Sequence, residues 1–377
     1  MRQHDSRKFV CFTATLFALI GSSASRAQES GHQWSQLPPL PDRTGFAGPF
    51  AGVSGEVLIV AGGANFPGGR PWDGHQKVWH DRIFLLDKPD GTWRQLDRKL
   101  PAAAAYGVSI NTRDGLLCIG GGNAKKHSRD VLLLRWTGKK LQIERMPPLP
   151  RAAAFFCGAL VGKTVYVAGG LERPDSPRAL HTFWALDLSR PADQRRWRSL
   201  KPWPGPARIL AVAATRDDAF YLLSGATLDP DQPGDNKRVY LRDAYRYTPK
   251  DGWTKIARLP RPVVAAPTPA VPVGAAGLMV IGGDDGANAT KVTELKDRHP
   301  GFPADLLVYD TKRNTWTSGG RFPKKVGDDP AHHPNRGLWP PVTTPTVRWA
   351  DRYVLPSGEV RPGVRTPRVV SLRVKTP

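Results

Sequence analysis

The sequence is short of cysteine, of long apolar runs and of acidic residues, and each shortage excludes a class of protein. Three cysteines among 377 residues do not make a disulfide framework. No segment after residue 27 approaches the roughly 18 apolar residues that a membrane-spanning helix needs, so we expect no integral membrane segment in the mature chain. The 33 acidic residues are outnumbered by 55 Lys and Arg, and such a basic surface raises the encounter rate with anionic ligands.

The Lys and Arg residues are scattered rather than grouped in runs. This pattern is typical of a solvated surface and argues against a nucleic-acid partner. Cys118 and Cys157 lie in apolar, strand-like runs, so we expect buried free thiols, with a disulfide as the alternative in an oxidising compartment. The histidines show no ligand spacing with cysteine or carboxylate partners, so no metal site is predicted. They include His80, His127, His181, His299, His332 and His333.

Residues 1–27 have the pattern of a secretory signal peptide. A basic start with Arg2, Arg7 and Lys8 precedes an apolar core at 10–20, and 25–27 is a small-x-small cleavage site. We therefore expect a periplasmic or otherwise exported protein and leave these residues out of the fold. A retained N-terminal anchor is the alternative.

An apolar strand that ends in a small-residue doublet recurs along the rest of the chain. After it come a variable loop, another apolar strand and a fourth strand that usually carries Trp and runs into a Leu-Pro exit. Repeats of about 50 residues with four antiparallel strands are typical of kelch propellers. The last glycines of the doublets are Gly63, Gly121, Gly170, Gly225, Gly283 and Gly358.

The sixth repeat has no fourth strand of its own. Residues 34–41 carry the Trp, Leu and Leu-Pro spacing of the other fourth strands, and pairing them into the last blade removes two free sheet edges. We therefore predict that residues 28–377 form an all-β, six-bladed kelch-like β-propeller, closed by its N-terminal strand. The predicted blades are 46–101, 102–150, 151–204, 205–260, 261–323, and 324–377 together with 31–41.

The loops at one mouth of a propeller converge, so a site there draws on distant parts of the sequence. In residues 357–366, Glu359 directly follows the doublet, and a Pro-Gly turn leads to Arg365. Such a turn folds the acid and the guanidinium back toward one point. A surface hairpin with a solvated ion pair is the alternative.

Other candidate substrate-binding residues lie in a Gly- and Pro-rich loop and at the starts of inner strands. The loop, 62–74, has the composition of a sugar site with a stacking Trp, or of an irregular connection. Residues that start an inner strand have side chains that can reach the channel. The candidates are Asn65, Arg70 and Trp72 in the loop, and Tyr106, Arg151 and Arg208 at inner strands.

Three segments resemble the N-acetylneuraminate epimerase family, the sialic acid mutarotases: Gly-Gly-Ala-Asn-Phe-Pro at 62–67, Ala-Tyr-Gly-Val-Ser at 105–109, and Gly-Glu-Val-Arg-Pro-Gly-Val-Arg-Thr at 358–366. The last of them precedes the other two in the epimerases, and its place here is that of the cyclically permuted mutarotase subfamily. The long loop of blade five, 284–304, falls where the epimerases carry an insertion.

The resemblance implies that Glu359 is the proton acceptor, that Arg365 is its partner, and that the substrate is a small acidic sugar. Opening and reclosing a cyclic hemiketal requires a base and a second donor but no cofactor. A non-catalytic glycan- or protein-binding kelch module is the alternative. A copper-radical oxidase of the galactose oxidase type needs a Tyr-Cys crosslink and copper ligands, against which the cysteines and scattered histidines argue.

Overall fold

The computed structural model describes residues 32–231, 238–326 and 337–374, together with Met1. The predicted signal peptide, apart from Met1, lies outside the described residues, and so do His332 and His333. The described strands form six four-stranded antiparallel sheets arranged as a propeller. The prediction of an all-β, six-bladed propeller is confirmed. No helix in the described ranges is long and apolar enough to cross a bilayer.

The strands of each blade follow one another outward from the channel. Blade one contains Phe50–Ser54, Val57–Ala61, Ile83–Leu86 and Arg94–Gln95. Blade two contains Val108–Thr112, Gly115–Ile119, Val131–Trp136 and Leu141–Met146. Blade three contains Cys157–Val161, Thr164–Ala168, Phe183–Asp187 and Trp197–Leu200.

The second half of the ring repeats this order. Blade four contains Val212–Arg216, Ala219–Leu223, Ala244–Thr248 and Gly252–Ile256. Blade five contains Val271–Val273, Gly277–Ile281, Asp305–Asp310 and Thr315–Arg321. Blade six contains Val347–Trp349, Arg352–Pro356, Val369–Arg373 and, as its fourth strand, Gln33–Leu37.

Short elements lie mainly in the connections between second and third strands. Three two-stranded ribbons are formed by Ala64–Asn65 with Val78–Trp79, Ala226–Leu228 with Arg238–Tyr240, and Glu359–Arg361 with Val364–Arg365. The helical turns are the α-helix Val292–Leu295 and the 3-10 turns Pro71–Asp73, Ala192–Gln194, Ala289–Lys291 and Lys296–Arg298.

The core consists of layers between neighbouring blades. Each large apolar cluster of the described residues joins side chains from two adjacent blades, including one between blades six and one. The second strands lie inside these layers, so they are apolar on both faces, as in the buried run Val57–Ala61. Burial of this apolar surface between the blades is the main force that stabilises the ring.

The N-terminal strand closes the last blade as predicted. Gln33–Leu37 pairs antiparallel with Val369–Arg373, and the Trp34 ring packs edge-on against Phe322 at 4.9 Å. The Nε1 of Trp93 in blade one donates to the Pro38 carbonyl at 2.7 Å. The closing strand is thus bonded to blade six and to blade one.

Six residues, one from each blade, form a closed ring of backbone hydrogen bonds around the channel. Each has a positive φ between 51° and 61°, and each N–H donates to the carbonyl of its counterpart in the preceding blade at 2.7 or 2.8 Å. The ring residues are Gly48, Tyr106, Phe155, Leu210, Ala265 and Thr343. This conformation is uncommon for residues other than glycine, and the hydrogen bonds of the ring hold it.

The residue before each ring position bridges to the residue after the small-residue doublet. The six bridges are Ala47 with Ala64, Ala105 with Gly122, Ala154 with Leu171, Ile209 with Ala226, Val264 with Asp284, and Val342 with Glu359. Two of these six equivalent positions carry a carboxylate, and both are beside the mouth of the channel. Glu359 therefore reaches the mouth because of its place in the repeat.

Candidate active site

A cavity of about 430 Å³ opens at one mouth of the channel. Its floor contains ring residues, among them Tyr106, Phe155 and Thr343, and its walls come from the connections between second and third strands of blades one, four, five and six. A smaller cavity of about 60 Å³ lies on the channel side and is also bordered by ring residues. The larger cavity, called here the mouth cavity, contains the two residues that the sequence singled out most strongly.

Glu359 and Arg365 face each other across a two-stranded hairpin. The two residues are direct partners in its register, and the N–H of Gly363 in the turn donates to Glu359 Oε1 at 2.8 Å. Gly363 has a φ of 78°, which glycine adopts at little cost. The Pro-Gly turn thus brings the acid and the guanidinium together, as expected, and both side chains line the mouth cavity.

The ion pair between these residues leaves hydrogen-bonding capacity unused. Arg365 Nη2 lies 3.6 Å from Glu359 Oε2, with the Arg365 side chain 3% exposed and that of Glu359 17% exposed. Among the described residues, Arg365 Nε and Nη1 are buried and have no hydrogen-bond partner. Burial by itself lowers the pKa of Arg365, but the Glu359 carboxylate and the Tyr106 hydroxyl raise it above its ordinary value. The guanidinium is therefore a charged group with hydrogen-bond donors that an anionic partner would satisfy.

The ring of Phe66 holds the guanidinium from its other side. Arg365 Cζ lies 4.7 Å from the Phe66 ring centroid, a cation-π distance that favours the charged form. Phe66 belongs to the Gly- and Pro-rich loop of blade one and also lines the mouth cavity. Blade one therefore helps to orient a residue of blade six.

Asp284 lies at the equivalent position of blade five and forms a pair with Tyr240 of blade four. Tyr240 donates its hydroxyl to Asp284 Oδ2 at 2.8 Å, and the Gly286 N–H donates to Oδ1 at 3.0 Å. Burial and the Asp284 charge raise the pKa of Tyr240. Both residues line the mouth cavity, and neither was predicted from the sequence.

His299 is a third unpredicted residue of the mouth cavity. Its Nδ1 accepts the N–H of Gly301 at 3.1 Å. Its pKa is lowered, mainly by burial; the charges of Asp284 and Glu359 act in the opposite direction, and those of Arg361 and Lys324 lower it further. From the sequence, His299 was considered only as a possible metal ligand. No sequence motif connects it with Glu359.

Basic side chains form part of the same wall. Lys77 and Arg238 line the mouth cavity together with Arg365. The Lys77 ammonium lies 5.0 Å from the Tyr106 ring centroid and 5.3 Å from that of Trp79. These positive charges favour an acidic ligand, and Tyr106 is the predicted substrate-binding residue that lies at the cavity floor.

The other candidates from the 62–74 loop have structural contacts. Asn65 is fully buried: its amide donates to the Gly45 carbonyl at 2.9 Å and its oxygen bonds to His80 Nε2 at 2.7 Å. Arg70 pairs with Asp297 at 3.1 Å, and Trp72 packs beside Val364. None of the three lines the mouth cavity.

Arg151 and Arg208 also lie away from the mouth cavity, which differs from the expectation that they reach it. Arg208 is fully buried and donates to both carboxylate oxygens of Asp243, at 3.0 and 2.7 Å. Arg151 is at the surface and bonds Glu172, with Nε to Oε1 at 3.0 Å. In both cases the arginine side chain points toward its carboxylate partner instead of the mouth cavity. The sequence did not reveal these partners.

Comparisons with known proteins agree with the resemblance. A model of the N-acetylneuraminate epimerase family matches residues 21–143. The chain is 39% identical over 123 residues to N-acetylneuraminate epimerase of Brucella suis, a match of 29% of this chain and 31% of that protein. It is 30% identical over 240 residues to N-acetylneuraminate epimerase of Haemophilus influenzae, a match of 58% of this chain and 57% of that protein. The family resemblance is confirmed.

The matched part is limited in extent. The chain spans about a third of the length of the Brucella relative and 57% of the Haemophilus relative. The epimerase-family match includes the loop with Phe66 and the ring residue Tyr106, whereas the hairpin with Glu359 and Arg365 lies beyond it. The roles of these two residues therefore depend on the geometry of the mouth cavity.

Proposed function

We propose that this protein is a cofactor-independent mutarotase that interconverts the α and β anomers of N-acetylneuraminate or a related acidic sugar. The observation that supports this most is the buried Arg365 guanidinium, which has two donors without a partner among the described residues and lies beside Glu359 in the mouth cavity. The names of the relatives support the same substrate class.

In this proposal Glu359 is the general base. Its Oε1 is held by the Gly363 N–H, while Oε2 faces a distant Nη2 of Arg365 at 3.6 Å, so a sugar hydroxyl can bind between them. Glu359 removes the proton of the anomeric hydroxyl, the bond from the anomeric carbon to the ring oxygen breaks, and a ketone forms. Rotation of the open chain and reclosure give the other anomer.

Arg365 binds the carboxylate of the sugar. Nε and Nη1 have no hydrogen-bond partner among the described residues. Each shares an edge of the guanidinium with Nη2, so a carboxylate that accepts two parallel hydrogen bonds uses Nη2 together with one of them. Lys77 and Arg238 add positive charge to the same cavity. The cavity thus suits a sugar acid better than a neutral sugar.

Residues 1–27 support a further proposal, that the protein is exported and acts in the periplasm or outside the cell. The strongly basic composition supports a role in collecting acidic sugars there. Cleavage after Ala27, seen as the N-terminus of the protein recovered from the periplasm, is the expected result.

The deciding experiment is NMR of anomer equilibration, started from crystalline single-anomer N-acetylneuraminate. The wild-type protein should accelerate equilibration, and Glu359→Gln should lower kcat on the order of a hundredfold or more. Glu172→Gln is the matched control, because Glu172 also pairs with an arginine but lies outside the mouth cavity. An uncatalysed rate with wild type would overturn the proposal, and sugar binding without acceleration would favour the non-catalytic module.

A further inference from the structure

His299 lies at the end of the blade-five loop, directly after the 3-10 turn Lys296–Arg298. It is 6% exposed and lines the mouth cavity together with Glu359 and Arg365. Asp284 lines the same cavity, and the charges of Asp284 and Glu359 both act to raise the pKa of the imidazole against the effect of burial. Its position is therefore suited to contact the same ligand as Glu359.

The hydrogen bond to Gly301 fixes the tautomer of the imidazole. A backbone N–H can only donate, so Nδ1, at 3.1 Å from the Gly301 nitrogen, must accept. The proton of the neutral ring is then on Nε2. No other hydrogen bond of His299 exists among the described residues, so Nε2–H is the donor that remains for a ligand.

His127 provides a contrast within the same protein. It is buried to a similar extent, 8% exposed, but its Nδ1 lies 2.9 Å from the Leu171 carbonyl oxygen. A carbonyl can only accept, so the proton of His127 is on Nδ1. The two buried histidines thus have opposite tautomers, and only His299 lies in the mouth cavity.

The charge state of His299 follows from the groups around it. Burial lowers its pKa most; the charges of Asp284 and Glu359 raise it, those of Arg361 and Lys324 lower it, and the net direction is downward. The ring is consequently neutral near pH 7. A neutral imidazole with a fixed N–H is a hydrogen-bond donor that keeps its proton, the form in which a histidine polarises an oxygen of the substrate.

We infer that His299 is a catalytic residue that donates a hydrogen bond from Nε2 to the ring oxygen of the sugar as the ring opens. This inference rests on the proposed mutarotase function and adds the second donor that ring opening requires. Glu359 and His299 then act on the two oxygens of one anomeric carbon.

Ring opening moves one proton from the anomeric hydroxyl to the ring oxygen and leaves the protein in its original protonation state. Glu359 takes the proton of the anomeric hydroxyl, the carbon to ring-oxygen bond breaks, and its electron pair remains on the ring oxygen. The His299 Nε2–H stabilises the negative charge that develops there. The proton held by Glu359 then passes to the ring oxygen, and reclosure reverses each transfer.

The test compares His299→Leu with His299→Gln in the same anomer assay. We expect His299→Leu to lower kcat on the order of a hundredfold with little change in KM, because the lost hydrogen bond forms with the reacting oxygen. His299→Gln keeps an N–H donor and should recover part of kcat. His127→Leu, with the same loss of a buried imidazole, is the control for damage to the fold.

A second measurement uses the wild-type protein. The ¹⁵N shifts of the histidine side chains should include a ring protonated on Nε2 at pH 7 that is absent in His299→Gln, and its Nε2 signal should move when N-acetylneuraminate is added. Wild-type kcat in His299→Leu, or an Nδ1-protonated His299, would overturn the inference while leaving the mutarotase proposal intact. An inactive wild-type protein would overturn both.

Discussion

Asp284 and Glu359 occupy the same position in neighbouring blades, each one residue after the small-residue doublet and bridged to the residue that precedes the ring. The other four equivalent positions carry alanine, glycine or leucine. The mouth cavity therefore has an acidic side at blades five and six. Arg365, on the same hairpin as Glu359, and the lining residues Lys77 and Arg238 add positive charge to the cavity, and we propose that an acidic sugar binds there.

Substitution of Arg365 should weaken binding of the sugar without lowering the free energy of unfolding of the protein. Arg365→Met removes a buried guanidinium with two donors that have no partner in the part of the chain that the structure describes. The free energy of unfolding should therefore stay equal or rise, because unsatisfied buried donors are costly. KM for N-acetylneuraminate should rise at least about tenfold with the loss of the carboxylate partner. Urea unfolding and the anomer assay measure the two effects.

Arg365→Lys is the control for charge. It keeps the positive charge but loses the planar fork and the contact with Phe66, so KM should stay raised. A wild-type KM in either variant would contradict the role of Arg365 in carboxylate binding.

The buried pair of Arg208 and Asp243 should stabilise the fold in a pH-dependent manner. Burial by itself raises the pKa of Asp243, but Arg208 and the Tyr245 hydroxyl lower it below its ordinary value. The stabilisation is fully present above the unfolded-state value of about 4 and is lost as pH falls through the lowered folded-state value. Asp243→Ala should cost about 3 to 5 kcal/mol at pH 7 and clearly less at pH 2.5.

Thermal or urea unfolding at the two pH values measures this difference. Asp130→Ala is a suitable control, since its pair with Arg145 is exposed and worth about 1 kcal/mol or less. An equal loss of stability at both pH values would show that packing, and not charge, explains the effect of Asp243.

Trp93 should hold the closing strand in place. Trp93→Phe removes the hydrogen bond from Nε1 to the Pro38 carbonyl, which costs about 1 kcal/mol and loosens residues 33–41. Limited proteolysis should then cut near residue 41 faster than in wild type. Trp316→Phe removes the same kind of bond, to Ala257 at 2.9 Å, away from the closure, and should leave that cleavage rate unchanged.

The two thiols of the folded chain should be inert. Cys118 and Cys157 are buried and free, as the sequence predicted, and burial raises the pKa of Cys157 to about 12. Thiolate is therefore nearly absent at pH 8. A disulfide reagent such as DTNB should label neither thiol in the native mature protein and both in guanidinium chloride; fast native labelling of either would contradict their burial.

The fold was predictable because its signals recur. The small-residue doublets mark the end of each second strand. The structure also explains why most fourth strands carry Trp: the indole N–H donates to a backbone carbonyl of the preceding blade. Trp197 donates to Pro147 and Trp253 to Lys201, both at 2.9 Å. Trp34 shares the sequence spacing that identified the closing strand, but its own indole N–H has no hydrogen-bond partner among the described residues.

The site was predictable only where its residues are close in sequence. Glu359 and Arg365 are joined by one turn, so local turn chemistry brings them together. Asp284, Tyr240 and His299 come from connections of other blades, and no local spacing relates them to Glu359. For Arg208 the prediction was wrong in the opposite sense: the sequence predicted a substrate-binding residue, but Arg208 is a buried structural residue. It donates to Asp243, which is remote in sequence, so local patterns did not reveal this pair.

The ring of backbone hydrogen bonds has a consequence for the evolution and redesign of specificity. It uses only main-chain atoms, so closure of the channel does not depend on which side chains the ring residues carry. Glycine, tyrosine, phenylalanine, leucine, alanine and threonine already occupy its six positions. A library that varies Phe155, Leu210 and Ala265 would reshape the floor of the mouth cavity while keeping the hydrogen bonds of the ring, and, under the proposed function, it is the starting point for selecting variants that act on other sugar acids.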